Sequence, residues 1–244
     1  MDIIRQNQAI IEQKNGKYTV KFNLPAGEFN SHQLRHIAKC AKTYGDGIMQ
    51  VNFRQSFEIR DIAKDDIAKL TYDMNYINIG LENSAKYQNI VACPGADQCN
   101  MGVVKTLSMA SAINQHLEAK LNKTETLANM AINISGCGNG CTHPLINDIG
   151  IIGAVGRING NKTLGWNLHL GGKLGEEQVI ALPIGFIEQT KAIPAVDIIV
   201  DTYLSSGKAD ISLQSWLLDH TNIHIVSENL KNAGLLHPTL NEAE

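Results

Sequence analysis

Residues 92–100 are Ala-Cys-Pro-Gly-Ala-Asp-Gln-Cys-Asn, and residues 135–141 are Ser-Gly-Cys-Gly-Asn-Gly-Cys. Together they contain four of the five cysteines, in one pair separated by five residues and one pair separated by three. Glycine, proline and asparagine around each pair let the backbone turn sharply and direct N–H groups towards sulfur. A buried iron–sulfur cluster needs such donors, because they stabilise the negative charge on its sulfur atoms. The loops therefore predict a 4Fe–4S cluster bound by Cys93, Cys99, Cys137 and Cys141.

On these residues alone, three alternative roles for the cysteines stay open. A structural zinc site usually separates paired ligands by about two to four residues, whereas the first pair here is separated by five. Disulfides need an oxidising compartment, but residues 1–13, MDIIRQNQAIIEQ, lack an apolar signal core and the total of five cysteines is odd. Unrelated core cysteines are uncommon in glycine-rich loops. Cluster binding is therefore the favoured role.

The wider sequence around the cysteines forms a long and specific pattern. It consists of Cys-x5-Cys, 37 intervening residues and Cys-x3-Cys, set within ACPGADQCN and INISGCGNGCTHPLINDIGIIGAVG. This pattern closely resembles the sirohaem and 4Fe–4S family of sulfite and nitrite reductases. Upstream, QLRHIAKCAKTYGDGIMQVNFRQSFEIRDI is similar to the ferredoxin-like half-domain that precedes the cluster region in that family. The resemblance covers roughly residues 15–205 and implies two cofactors, a 4Fe–4S cluster and sirohaem.

The residues before the first cysteine loop predict an α+β domain. Residues 18–24, YTVKFNL, alternate between apolar and polar side chains, which is typical of a half-buried strand. Apolar residues at helical spacing follow over residues 34–44, then two short strands, IMQVNF and SFEIR, and a second helix that begins near Asp65. This order predicts a ferredoxin-like half-domain over residues 1–85. Cys40, at the edge of the first helix's apolar face, is expected to pack in its core.

From residue 86 onward, glycine-rich loops alternate with apolar runs. NIVACPG and AINISGC each lead from a predicted strand into a cysteine loop, and IGIIGAVG and LGWNLHLGG predict further strands. We therefore expect an α/β sirohaem- and 4Fe–4S-binding domain over residues 86–225, with the cluster loops at strand ends. Residues 226–244 are polar and predict a loosely held C-terminal tail.

The composition restricts the classes of partner. The 244 residues are 43% hydrophobic, which is enough for a substantial core in one or two domains. No apolar run approaches the roughly 18 residues that span a bilayer, so we expect no membrane association and a cytoplasmic protein. The formal net charge is −3, from 21 basic and 24 acidic residues without a basic stripe, which argues against a nucleic-acid partner.

The resemblance also implies roles for two catalytic residues. In the family, the last cysteine of the motif bridges cluster iron and sirohaem iron, and that role falls on Cys141 here. The segment Asn52-Phe-Arg-Gln resembles the family's Thr-x-Arg-Gln, whose arginine contacts the oxyanion, and this role falls on Arg54. A guanidinium suits the role because it stays charged and presents a planar fork to the oxygens of the anion.

Sirohaem carries several carboxylates, so its pocket is expected to supply cationic, amide and backbone donors. Glycines are expected where the backbone approaches the cofactor closely. The residues expected to contact sirohaem are Arg54, Lys105, Asn139, Arg157, Gly171 and Gly172.

Several positions depart from the family pattern. The threonine of Thr-x-Arg-Gln is Asn52 here, which keeps a polar side chain. A second basic residue of full-length members is replaced by Gln88, with Lys86 nearby, and a Lys-x-Lys pair is replaced by Asn129 and Ala131. In the family these basic groups bind the anion and relay protons. Full multi-electron reduction by this chain therefore requires a partner subunit or other lysines.

The chain is expected to be an oxidoreductase that reduces a small oxyanion at sirohaem, with sulfite (to sulfide) favoured over nitrite (to ammonia). Electrons from an external donor such as ferredoxin would pass from the cluster through Cys141 to sirohaem. Family members commonly contain two tandem copies of the unit and this chain contains one, so we expect a homodimer or a second subunit. Two alternatives stay open: a non-catalytic electron-transfer or cofactor-binding subunit, and a tetrapyrrole-modifying enzyme similar to precorrin-3B synthase.

Overall fold

The computed structural model describes residues 9–82, 87, 90–121, 127, 130–208 and 211–239. These residues form two compact units. The first contains residues 9–82 together with Tyr87 and Leu127, and the second contains the other described residues. Leu127 belongs to the first unit because it forms a parallel β-bridge with Tyr87.

The first unit is a four-stranded antiparallel sheet with two helices. The strands lie in the order β1-β2-β4-β3, and their bounds are β1 Ile10–Glu12, β2 Tyr18–Phe22, β3 Met49–Val51 and β4 Phe57–Ile62. Helix α1 spans Ser31–Tyr44 and helix α2 spans Ile67–Tyr76, with short 3-10 turns at Pro25–Gly27 and Lys64–Asp66. The predicted strand, helix, strand, strand, helix order is confirmed, with β1 as an additional short strand.

The core of the first unit forms where the alternating strand residues meet the apolar faces of the helices. Val20 and Ile59 on the strands and Ile37 and Leu70 on the helices have no exposed surface. Cys40 lies in the same core with 2% of its surface exposed. This burial confirms the predicted packing role of Cys40 and raises the pKa of its thiol to about 11.

The second unit contains a five-stranded mixed sheet in the order β5-β6-β7-β8-β9. The bounds are β5 Val91–Ala92, β6 Ile132–Ser135, β7 Ile149–Ile158, β8 Asn161–Leu170 and β9 Leu182–Glu188. β5, β6 and β7 run parallel, whereas β7, β8 and β9 pair antiparallel. The short parallel strands end at the two cysteine loops, as the sequence predicted.

Helices complete the second unit. They are α3 Gly95–Gln98, α4 Leu107–Lys120, α5 Ala192–Ser205, α6 Leu213–Leu217 and α7 His220–Asn232, with 3-10 turns at Pro144–Ile146 and Gln189–Lys191. On the surface, α4 and α5 are joined by Lys120, whose Nζ lies 2.9 Å from Asp197 Oδ1 and 2.8 Å from an oxygen of Asp201. Both units together establish the α+β class.

The structure corrects the expectation of a loosely held tail from residue 226. Helix α7 runs through residue 226 to Asn232, and Val226 and Leu230 are completely buried. Further on, Phe186 and His237 exchange two backbone hydrogen bonds of 2.8 Å. The apolar residues recur at helical spacing within a polar sequence, so the overall polarity concealed a packed helix.

Other parts of the predicted division lie outside the described residues. The proposed boundary between residues 85 and 86 falls within the undescribed stretch 83–86, and the ranges 1–85 and 86–225 therefore stay predictions. Within the described ranges, no helix has both the length and the apolar character that crossing a bilayer requires.

Candidate functional site

The two cysteine loops leave the same edge of the second unit's sheet. Ala92 of β5 lies opposite Ile134 of β6 in a parallel pair, so Cys93 and Cys137 each follow the carboxyl end of a neighbouring strand. The Cys93 N–H continues the pairing by donating to the Ile134 carbonyl at 3.2 Å. Parallel strands thus bring together the beginnings of two loops that are far apart in the sequence.

A backbone donor points at one of the cysteine sulfurs. The Gly136 N–H donates to Cys93 Sγ at 3.1 Å, which is the type of contact that the glycine-rich loops predicted. The Gly136 carbonyl in turn accepts from the N–H groups of Val103 (2.8 Å) and Val104 (3.4 Å). Gly136 therefore ties the second loop to the first sulfur and to the chain that follows the first loop.

The two loops pack backbone against backbone. A Cβ atom added to Gly136 would lie 2.6 Å from the Cα of Gly95, which is in the first loop. Such a distance is incompatible with ordinary packing. Gly138, within the second loop, has no atom near enough to meet an added Cβ. Glycine is thus required at Gly136 by the close approach of the loops, while Gly138 faces open space.

The second loop is closed by buried polar residues. Thr142, directly after Cys141, has its Oγ1 2.8 Å from Ser135 Oγ and donates its N–H to the same Oγ at 3.2 Å. Asn133 Nδ2 donates to the Thr142 carbonyl. All three residues are buried. These contacts connect the end of the loop to β6, from which the loop began, and they were not predicted from the sequence because hydroxyl pairs leave no distinctive spacing.

The four cysteines have the chemistry of cluster ligands, although they do not converge on a single point. All four are free thiols, with Cys99 and Cys141 exposed and Cys93 and Cys137 partly buried. No group of three or more His, Cys, Asp or Glu side chains in the described ranges could hold one metal ion. A 4Fe–4S cluster binds each thiolate to a different iron atom, so its ligands stand farther apart than those of one ion. Four thiols on two adjoining loops suit a cluster of this kind.

Apart from Arg54, which is in the first unit, the residues predicted to contact sirohaem lie at different places in the second unit. Lys105 and Asn139 are exposed, Lys105 just before α4 and Asn139 between Cys137 and Cys141. Arg157 is exposed near the far end of β7, and its Nη1 donates to the Gly160 carbonyl at 3.2 Å within the β7–β8 hairpin. The structure places Asn139 in a cysteine loop and Arg157 in the hairpin.

Gly171 and Gly172 are required by the chain's own packing. A Cβ on Gly171 would lie 2.8 Å from the Leu217 carbonyl oxygen, and a Cβ on Gly172 would lie 2.6 Å from the Leu145 carbonyl oxygen. Gly171 also has a positive φ of 81°. These contacts account for both glycines without a cofactor, and their predicted contact with sirohaem stays a prediction.

Arg54 lies in the turn between β3 and β4 of the first unit. Asn52 shapes this turn, because its Oδ1 accepts from the N–H groups of Arg54 (2.9 Å) and Ser56 (3.2 Å). The Arg54 guanidinium lies 5.3 Å from the centre of the Phe53 ring, and 73% of the Phe53 surface is exposed. The asparagine that replaces the family threonine thus keeps a structural role at the start of the segment.

Among the positions that depart from the family pattern, Lys86, Gln88 and Asn129 lie outside the described residues. Ala131 is 4% exposed, and its N–H donates to the carboxylate of the buried Asp148 at 2.8 Å. The Ala131 side chain therefore belongs to the core of the second unit. Asp148 was not singled out from the sequence, because its partner is seventeen residues away.

His169 adds a titratable group to the sheet. It lies in β8 opposite Gly150 of β7, and burial lowers the pKa of its imidazole. The buried Nδ1 has no hydrogen-bond partner in the part of the chain that the structure describes. Burial therefore favours the neutral form of the ring.

Two family models match the chain. Residues 84–212 match the nitrite and sulphite reductase 4Fe–4S domain, and residues 11–74 match the nitrite/sulfite reductase ferredoxin-like half domain. The ferredoxin–nitrite reductase of Synechococcus elongatus is 29% identical over 67% of this chain and 31% of its own length. A sulfite reductase [ferredoxin] of Mycolicibacterium paratuberculosis is 26% identical over 67% of this chain and 30% of its own length. The chain thus spans about a third of these relatives.

Solved structures agree with the fold. The structure of the Mycobacterium tuberculosis NirA protein aligns with 94% of this chain, with a TM-score of 0.78 and 21% sequence identity. The aligned part is 41% of the NirA chain. The crystal structure of dissimilatory sulfite reductase I aligns with 93% of this chain, with a TM-score of 0.71 and 12% sequence identity. The aligned part is 71% of that reductase chain. At these identities the similarity establishes the architecture alone.

Proposed function

This chain belongs to the nitrite and sulphite reductase family, and on that premise we propose that it reduces a small oxyanion. The family uses a 4Fe–4S cluster and sirohaem. The observation that carries the proposal is the meeting of the two cysteine loops at one sheet edge, with the Gly136 N–H directed at Cys93 Sγ. Loops built in this way suit a cluster that is held by four separate thiolates.

In this proposal, Cys93, Cys99, Cys137 and Cys141 would hold the cluster, and Cys141 would also hold sirohaem. When bound, the two groups would carry electrons from the external donor to the anion. The residues of the chain hold and orient them: thiolates bind iron, and backbone N–H groups such as that of Gly136 stabilise the negative charge on sulfur. Lys105, Asn139 and Arg157 are proposed donors to the carboxylates of sirohaem.

We propose that Arg54 binds the oxyanion. A guanidinium offers parallel N–H donors to two anion oxygens. Charge that develops on those oxygens as an S–O or N–O bond breaks is stabilised by the same donors. The turn fixed by Asn52 supports this role, because it holds the Arg54 backbone at a defined position.

Sulfite is the first proposed substrate and nitrite the second. Both are small anions that the same cationic group can bind. Nitrite stays a candidate because most of the similar curated proteins, including the Synechococcus elongatus protein, are named nitrite reductases. A reduced ferredoxin is the proposed electron donor, since several of these relatives carry ferredoxin in their names.

A second candidate function follows from Ala131. Its buried side chain cannot relay a proton, and its N–H is used by Asp148. If no other chain supplies the missing basic groups, the protein would bind its cofactors and transfer electrons without reducing an anion.

Reduction of the anion, by contrast, needs those basic groups from elsewhere. We propose that the form of the protein that reduces the anion is a homodimer, or includes a second subunit that contributes basic residues.

A turnover experiment separates these proposals. Anaerobically purified protein with reduced methyl viologen is supplied with sulfite or nitrite, and the sulfide and ammonia formed are measured. Sulfide as the faster product supports the first proposal, whereas faster ammonia formation assigns nitrite. Cofactor-loaded protein that forms neither product contradicts the reductase and supports the electron-transfer function.

A further inference from the structure

The first cysteine loop is connected to helix α4 by one of its own side chains, Asp97. Asp97 lies in α3, between Cys93 and Cys99. Its Oδ2 accepts hydrogen bonds from the N–H groups of Thr106 (3.1 Å) and Leu107 (3.3 Å). These two donors belong to the start of α4, where helical N–H groups have no partners within the helix.

The residue at the N-cap position of α4, Thr106, does not cap the helix with its side chain. Its Oγ1 donates instead to the carbonyl of Cys93. Thr106 is completely buried, and its hydrogen bonds to Asp97 and to Cys93 are partly buried. The cap of α4 is therefore supplied by Asp97, which is nine residues earlier in the chain.

The hydrogen bonds of Thr106 with Asp97 and with Cys93 hold the first loop near both of its cysteines. On one side, Asp97 joins the α3 segment to Thr106, and the Cys99 N–H donates to the Gly95 carbonyl at 2.8 Å at the end of that segment. On the other side, Thr106 joins the Cys93 carbonyl. Thr106 is common to both, so the contact between Asp97 and α4 links the positions of Cys93 and Cys99, together with the Ala96 N–H, which donates to the Val104 carbonyl at 2.9 Å.

The side chain of Asp97 suits this position, because aspartate is among the residues preferred as helix N-caps. An exposed residue that is not a ligand can thus fix the position of two ligands.

We propose that Asp97 is a positioning residue for the iron–sulfur cluster, because it fixes Cys93 and Cys99 relative to each other by capping α4. This inference rests on the proposed binding of a cluster by the four cysteines. Asp97 itself does not bind iron. Its removal frees the start of α4 and the α3 segment, so the two cysteines hold iron less firmly.

The experiment compares Asp97→Ala and Asp97→Asn with a matched control, Asp219→Ala. Asp219 is also an exposed helix cap, and its Oδ1 accepts from the Thr221 N–H at 3.0 Å at the start of α7. Each protein is reconstituted anaerobically, its iron and labile sulfide are determined, and its iron release to a chelator is timed. The electron paramagnetic resonance spectrum of the reduced cluster reports the arrangement of its ligands.

We expect Asp97→Ala to release iron roughly three- to tenfold faster than the wild type, as the loss of one cap would allow, and to show an altered resonance spectrum. Asp97→Asn keeps an oxygen acceptor and should stay within about twofold of the wild type. Asp219→Ala should match the wild type in both measurements. If Asp97→Ala does not fold, Asp97→Glu takes its place, since it moves the carboxylate by one methylene group and should also release iron faster.

Equal iron release and equal spectra for Asp97→Ala and Asp219→Ala would overturn the positioning role while leaving the cluster in place. A wild-type protein that takes up no iron would overturn the cluster itself, and with it this inference. The two failures are therefore distinguished by the iron content of the wild type.

Discussion

At the scale of single residues, Gly136 shows how closely the two cysteine loops depend on each other. It donates its N–H to Cys93 Sγ and lies against Gly95. Replacement by alanine keeps the N–H but adds a Cβ that would be 2.6 Å from the Gly95 Cα. The loops must then separate, and the hydrogen bond to sulfur lengthens.

We therefore expect Gly136→Ala to lower the free energy of unfolding of the metal-free protein by about 1–3 kcal/mol, the usual cost of an overpacked site. Gly138→Ala is the control, because an added Cβ there meets no atom. Urea unfolding followed by circular dichroism measures both. Equal stability of the two variants would show that the loops do not pack backbone against backbone.

Cys40 and the loop cysteines should differ in reactivity. Burial raises the pKa of Cys40 from 9.0 to about 11, so its thiol stays protonated in the native protein as the pH rises through 9 and ionises only near 11. Cys99 and Cys141 are exposed. In the native metal-free protein at pH 8, iodoacetamide should label these two rapidly and Cys40 only after unfolding. Peptide mass spectrometry measures the rates, and rapid native labelling of Cys40 would contradict its burial.

Arg54 is the residue on which the proposed anion binding depends. Arg54→Ala should lower kcat/KM for the anion by about 10²–10³, which is the usual loss for a donor that stabilises a developing oxyanion. Arg54→Lys should recover part of this, since lysine keeps the charge but not the planar fork. The exposed Arg35 of α1 provides a control, Arg35→Ala, expected to have unchanged turnover. Full activity of Arg54→Ala would remove Arg54 from the site.

Residue-level features were predictable from the sequence where they depend on neighbours in the chain. The glycines beside the cysteines predicted a backbone donor to sulfur, and Gly136 provides one. The contacts of Asp97 with Thr106 and of Asp148 with Ala131 were not predicted. Each depends on two segments that meet only after folding, and neither pair forms a recognisable motif.

At the scale of elements, the two shortest strands of the second unit have the greatest effect on the site. β5 and β6 are two and four residues long. Since they run parallel and adjacent, both cysteine loops start at one edge. The apolar runs before each loop predicted these strands. Their order in the sheet could be learned only from the structure.

Helix α7 provides the clearest test at this scale, because its sequence suggested a loose tail. Leu230 is completely buried, whereas Ile225 on the same helix is 45% exposed. Leu230→Ala should lower the free energy of unfolding by about 2–5 kcal/mol, as expected for a buried aliphatic side chain. Ile225→Ala removes a side chain of the same size and should cost less than about 1 kcal/mol. Similar costs for both would support a tail that is not packed.

The difference between the predicted and observed C-terminal region has a physical cause. Only a few apolar residues in the region, Ile223, Val226 and Leu230, are needed to make one buried helical face. Average polarity over the whole region hides that face. The α+β order of the first unit was easier to predict, because its strands and helices have regular apolar periods.

At the scale of the whole molecule, the chain has one ferredoxin-like half domain and one 4Fe–4S domain, over about a third of the length of the nitrite and sulfite reductases that it matches. The proposed homodimer or second subunit would supply what one copy lacks. The basic residues missing at Asn129 and Ala131 are the groups that such a partner would have to provide.

One copy of this unit is proposed to bind both a 4Fe–4S cluster and sirohaem. The measurement that tests it most directly is the absorption spectrum of anaerobically purified protein, combined with iron and labile sulfide analysis, before and after addition of sulfite or nitrite. We predict a Soret band and a far-red sirohaem band that shift with the anion, together with about four cluster irons per chain. A spectrum of a cluster without sirohaem, or a protein without iron, would contradict the claim.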